Sequence, residues 1–340
     1  MFGQSLQDKE FVIPSIQKEN AFNAIRLLFC IVVIFMHCLN KCNIENRYLL
    51  DGHVAVCGFF IISGFWVSKS YFSSKDIKDF FIKRAKKILP MYYIAVVGFS
   101  LICAVFSNLQ LKDFFGIDYL KYLFWNGMFL NFKHPSLPGC FNGEAINGAL
   151  WTIKIEIGFY IILPVILYFW RRIKLNRSKN IYLATLYLLS ILYNSILKRY
   201  SNQWHLPGQL EHQLPGFVSF FISGMLVLFN WKTFIQFKNW LIIPSITVYI
   251  LHYFTNTEYV FPLALAIIIV YFSLLLKFLN RIGKDIDFSW GMYLFHFPLM
   301  QILYFNGRQY INVPIYISSV IGIAFMLTFI VEKYIQKRIK

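Results

Sequence analysis

Apolar runs of about twenty residues, separated by short polar breaks, recur along the chain from Phe22 to Tyr334. A hydrocarbon layer of about 30 Å takes roughly 20 helical residues to cross, so each run predicts a membrane-spanning helix. The runs place such helices near 22–40, 50–70, 88–107, 148–171, 180–198, 209–230, 239–254, 259–279, 286–305 and 312–333. The expected fold class is all-α, a polytopic membrane bundle of about ten transmembrane helices over residues 22–333, with a segment 1–21 before it and a basic tail 334–340 after it.

The longest break, from Asn108 to Asn147, holds an aromatic run from Tyr119 to Phe132 followed by Pro135, Pro138 and Gly139. That pattern suits a re-entrant or interfacial segment. The chain shows no repeat of fixed period and no inverted pair of broken helices of the transporter kind.

Composition removes the soluble alternatives. Hydrophobic residues make up 58% of the chain and charged residues 14%, more apolar surface than a single soluble core hides. The net charge of +17 does not indicate nucleic acid, because the cations lie in short tracts between apolar runs and form no single face or tail. They report orientation instead. With the N-terminus inside, the inner segments carry 22 Lys and Arg and the outer segments eight, so the N-in, C-in arrangement satisfies the positive-inside rule. The six cysteines show no metal-ligand spacing, and no metal is expected. Cys42 and Cys140 both fall in outer breaks, where a disulfide is allowed.

Ionisable residues inside membrane helices call for a partner, a wet cavity or a function. Arg26, His37, Glu156 and His296 are the four that matter. Arg26 and His37 are eleven residues apart, about 16 Å of rise and within roughly 20° of a whole number of turns, so they line one face at two depths. Glu156 stands at a depth comparable to that of His37, which makes a His–carboxylate pair geometrically possible, and such a pair would support a general base. Each also has a plainer use. His37 suits a hydrogen-bonded packing residue, Arg26 a cation snorkelling to lipid phosphate, and His296 a polar filler beside Pro298. The tract Lys83-Arg84-Ala85-Lys86-Lys87-Ile88-Leu89-Pro90, read as an inner loop, serves either as topogenic charge or as a phosphate site.

Taken together, these residues resemble a known family, the integral membrane acyltransferase family 3, whose bacterial members O-acetylate O-antigens, capsules and other glycans. Arg26 and His37 match its Arg-x10-His signature, and Gly58-Phe59-Phe60-Ile61-Ile62-Ser63-Gly64-Phe65 its Phe-Phe-x-x-Ser-Gly-Phe motif. The 83–90 tract is similar to its Arg-Arg-x-x-Arg-x-x-Pro, with Lys in place of Arg at 83 and 87. Trp151-Thr152-Ile153-Lys154-Ile155-Glu156 with Phe159-Tyr160 and Pro164, then Phe220-Phe221-Ile222-Ser223-Gly224-Met225, then Ser289 through Pro298, follow in family order.

The resemblance implies an acyl-CoA-dependent O-acetyltransferase of the bacterial inner membrane. Its partners would be acetyl-CoA as donor and co-substrate, a glycan or lipid-linked saccharide as acceptor, and the surrounding lipids. His37 and Glu156 would be catalytic. Arg26, Ser63, Gly64, Lys83, Arg84 and Lys87 would serve the donor, and Trp151, Tyr293 and His296 the acceptor. The rival from another class is a polytopic glycan flippase or small-molecule transporter, for which the same polar residues would line a path.

Overall fold

The computed structural model describes residues 20–45, 48, 50–200, 203, 207–284, 286–307 and 312–339. Most of the segment 1–21, with Lys9 and Lys18, lies outside the described residues, as do Arg47, Arg308 and Lys340 among the orienting cations. The described residues form helices and no strand. In chain order they are α1 (Phe22–Lys41), α2 (Gly52–Phe72), α3 (Ile77–Cys103), α4 (Leu111–Phe114), α5 (Ile117–Gly127), α6 (Trp151–Arg172), α7 (Asn176–Tyr200), α8 (Leu214–Phe229), α9 (Trp231–Thr255), α10 (Phe261–Leu275), α11 (Phe288–Gly307) and α12 (Val313–Ile339).

A helix stands at each of the ten expected places, and eight among the described residues are long and apolar enough to cross a membrane. The two others are α10 and α11. The first has 15 residues, roughly 22 Å of rise, and the second carries Ser289, Gly291, His296 and Gln301 within its length. Large apolar side chains such as Trp240, Ile243, Phe254 and Met326 stand exposed, which suits lipid as the surrounding solvent. The protein is read accordingly as an integral membrane protein.

The expected inner loop at 83–90 is instead helix. Asp76 accepts a hydrogen bond from the Asp79 backbone N–H at 2.7 Å, and the Asp79 carboxylate reaches back to the N–H of Lys75 at 2.9 Å. This reciprocal cap starts α3 eleven residues before the apolar run begins. Lys, Arg and Ala are good helix formers, and hydropathy cannot register a helix whose first turns are cationic. Between α3 and α6, α5 is eleven residues long, too short to span, with Tyr119, Tyr122 and Asn126 buried and Leu120 and Phe124 exposed. It is an amphipathic helix, a form compatible with the interfacial segment expected for this break.

The chain divides into two compact units. One comprises the chain up to Ile25, Val56–Arg84 and Ile155–Asn280, and the other Arg26–Ala55, Ala85–Lys154 and the chain from Arg281 on. In the first, α2 and α8 meet at backbone distance. A Cβ added at Gly64 would lie 2.0 Å from the Phe221 carbonyl oxygen, and one at Gly224 would lie 2.1 Å from that of Ile61. The contact is reciprocal, glycine against carbonyl on both sides, as in close helix pairs in membranes. Phe159 and Phe221 stack beside it with centroids 4.4 Å apart. In the same unit Asn180 and Asn230 exchange amide hydrogen bonds at 2.9 and 3.1 Å.

The second unit is cross-linked by polar side chains. The Asn147 amide donates to the Leu294 carbonyl at 2.8 Å, the Thr152 and Tyr293 hydroxyls lie 2.9 Å apart, and Tyr316 donates to the Met300 carbonyl at 3.0 Å. All six cysteines are free thiols. Cys140 is buried and donates to the Cys103 carbonyl at 3.3 Å, so the allowed bridge to Cys42 is not formed.

Candidate active site

Arg26, His37, Lys87, Trp151, Tyr293 and His296 all belong to the second unit, and two clusters form among them. The first is ionic. Arg26 donates to the Asp287 carboxylate at 2.8 Å, and the Lys87 ammonium approaches the same oxygen at 3.5 Å. Ser289 donates to the other carboxylate oxygen at 2.6 Å. Burial works against the charge of Asp287, but Arg26 first and Lys87 next, with the Ser289 hydroxyl, hold its carboxyl well below the ordinary carboxylate range. Two cations thus share one carboxylate, with the Glu332 carboxyl in electrostatic reach of Lys87 and Asp287.

The second cluster is neutral and aromatic. Lys41, one turn beyond His37, pairs with Glu144. His37 itself is half-buried, with the His296 ring at a centroid distance of 5.4 Å and the Phe297 ring at 5.2 Å. His296 is wholly buried. Its Nδ1 lies 2.8 Å from the Tyr293 carbonyl oxygen, an atom that only accepts, so Nδ1 carries the proton and Nε2 the lone pair. That Nε2 has no partner among the described residues. Tyr293, on the preceding turn of α11, is fixed through its hydroxyl by Thr152, the neighbour of Trp151 at the start of α6.

Ser63, Gly64, Lys83, Arg84 and Glu156 belong to the first unit. Ser63 and Gly64 lie inside continuous α2, with Gly64 supplying the close approach to α8. The Ser63 Oγ is buried without a hydrogen-bond partner among the described residues. Lys83 pairs with Asp79 at 2.7 Å. Arg84 donates to the Ser70 hydroxyl at 3.0 Å and stands over the Tyr160 ring at 5.9 Å. The Tyr160 hydroxyl donates to Glu156, which links Arg84, Tyr160 and Glu156 in one chain of contacts.

Sequence reasoning missed Asp287, Asn147, Thr152, Gln301 and the bridging role of Tyr160. Gln301 donates to Glu144 and to the Ala145 carbonyl, both at 3.0 Å. A signal for Asp287 existed, since a cation placed within a helix needs a counter-ion, but several carboxylates fall in the inner breaks and spacing along the chain does not choose among them.

Residues 19–333 match the family described as acyltransferase domain. Among curated proteins, the O-acetyl transferase of Shigella phage Sf6 is 24% identical over 300 residues, covering 84% of this chain and 86% of its own. Nodulation protein 10 of Rhizobium leguminosarum bv. viciae is 30% identical over 173 residues, 46% of each chain. The peptidoglycan O-acetyltransferase OatA of Listeria monocytogenes is 24% identical over 161 residues, 46% of this chain and 24% of its own. The chain thus spans less than half the length of the last two. No solved structure matches. With a helical membrane architecture, the motif residues in order and a family match that runs from residue 19 to residue 333, the chain belongs to the integral membrane acyltransferase family 3.

Proposed function

We propose that this membrane acyltransferase moves an acetyl group from acetyl-CoA to a hydroxyl of a cell-surface glycan or its lipid-linked precursor, with His37 as general base. The observation that carries the reading is the layout of α1. Arg26 stands in a cationic cluster at one level, and His37 stands about 16 Å further along the same helix face, half-buried among rings. An extended pantetheine arm suits such a separation. Phosphates held by Arg26 and Lys87 would leave the thioester to reach the histidine. Lys87 offers such a phosphate a point charge in place of a guanidinium fork.

In the reaction His37 takes the proton of the acceptor hydroxyl while the oxygen attacks the thioester carbonyl. The C–S bond then breaks, and the coenzyme A thiolate takes the proton back from the imidazolium. Trp151, half-buried at the start of α6, offers a ring for a sugar face, whereas Tyr293 is buried. In the N-in, C-in orientation of a bacterial inner membrane, Arg26 faces the compartment that makes coenzyme A and His37 faces the outer side.

The test uses the purified full chain in lipid nanodiscs, acetyl-labelled acetyl-CoA and saccharides extracted from its own membranes. Label transfer is expected, with His37→Ala reducing it by about 10²–10⁴-fold in folded protein. Full activity of that variant, or saccharide movement across vesicles with no acetylation, overturns the reading.

A further inference from the structure

His296 holds an atom the fold leaves unused. Its Nδ1–H is committed to the Tyr293 carbonyl, and its Nε2 lone pair is buried with no donor among the described residues. A buried acceptor left unmade is costly, so it marks either a strained spot or a partner made only part of the time. The surroundings point to the second. Phe297 and Tyr293 offer ring faces to His296, while His37 offers an imidazole at 5.4 Å between centroids. An N–H···N hydrogen bond of about 2.9 Å between two imidazoles puts their centroids roughly 5 Å apart, because each nitrogen lies about 1.2 Å from its ring centre. The two ring centroids already stand near that separation, the rings stacked with 29° between their planes and the bond not made. The χ2 torsion of histidine is broad, so the bond calls for a rotation of the His37 ring that turns a nitrogen toward His296.

We propose that His296 is the positioning residue for His37: its fixed Nε2 lone pair accepts a hydrogen bond from one nitrogen of His37 and turns the other nitrogen toward the acceptor hydroxyl. A neutral imidazole locked by a backbone carbonyl thereby does what a carboxylate does beside a catalytic histidine, selecting one tautomer and supporting the imidazolium. The proton bookkeeping closes without a further group. His37 gains the hydroxyl proton on its free nitrogen, keeps its N–H···Nε2 bond to His296 throughout, and releases the gained proton to the departing thiolate. This inference rests on the proposed role of His37 as base. It assigns to His296 the supporting task that sequence reasoning gave to Glu156.

The experiment is nitrogen-15 spectroscopy of histidine-labelled full chain in lipid nanodiscs, with the His37 and His296 signals assigned by their loss in His37→Gln and His296→Gln. In the wild type His296 is expected as a single Nδ1–H tautomer and His37 as a single tautomer. In His296→Phe, which keeps a ring and removes the acceptor, His37 becomes a mixture of tautomers. In His296→Gln, which keeps an acceptor oxygen, and in Glu156→Gln, it stays single. A proton on His296 Nε2 in the wild type overturns the proposal without any variant. So does an unchanged His37 in His296→Phe, or equal scrambling in the Phe and Gln variants, which marks a packing role. No donor or acceptor is needed, so failure of acetyl transfer and failure of this pairing are read separately.

Discussion

In the unit that carries α7 to α10, one helix pair, α2 and α8, meets at backbone distance; in the unit that carries α11 and α12, the clusters around Arg26 and His37 are built on polar side chains distant in sequence. Gly64 and Gly224 each face the other helix's carbonyl oxygen where a methyl group would not fit, and the packing around them is aromatic. Arg26 and Asp287, Asn147 and Leu294, and Thr152 and Tyr293 instead join elements through directed bonds. Steric packing in lipid is tight but chemically inert, whereas a polar cross-link costs desolvation and is retained where charge or a lone pair is used. The proposed base falls in the second unit with Arg26 and Lys87, while Lys83 and Arg84 belong to the first.

The largest stability effect should fall on the steric side of that comparison. Gly64→Ala must move the Phe221 carbonyl, so thermal unfolding in nanodiscs should show a loss of about 3 kcal/mol or more. Gly98, in α3 of the other unit, has open space where its Cβ would go, and Gly98→Ala should gain roughly 0.5–1 kcal/mol from helix propensity. Equal responses at the two sites would remove the distinction between the units.

Next comes Asp287→Ala, which leaves Arg26 and Lys87 without their shared carboxylate. With the three side chains 16, 27 and 44% exposed for Arg26, Asp287 and Lys87, screening limits the loss to about 1–2 kcal/mol. Inorganic phosphate should restore stability to this variant more than to the wild type. A variant indifferent to phosphate would argue against an anion clamp at Arg26. The smallest effect belongs to Thr152→Val, which removes one partner of the Tyr293 hydroxyl for about 1 kcal/mol.

The cap on α3 shows how far hydropathy carries and where it stops. Lipid demands an apolar run of fixed length, so ten helix positions could be read from residue type alone, while a helix that begins on Lys and Arg is silent to the same test. Its start was written in Asp76 and Asp79, as a local signal of a different kind. The use of Gly64 is silent in sequence for a related reason, since only the approach of Phe221 makes it a packing site.

For the candidate site, residue type and a fixed helical rise are enough to say which side chains carry charge or a lone pair at membrane depth, and that Arg26 and His37 share a helix face. Their partners come from the packing of distant segments. Asp287 is 261 positions from Arg26, and His296 is as remote from His37. Whether an imidazole offers a proton or a lone pair depends on the atom packed against its other nitrogen. For His296 that atom is the Tyr293 carbonyl oxygen, and the same packing leaves its lone pair buried beside the ring of His37.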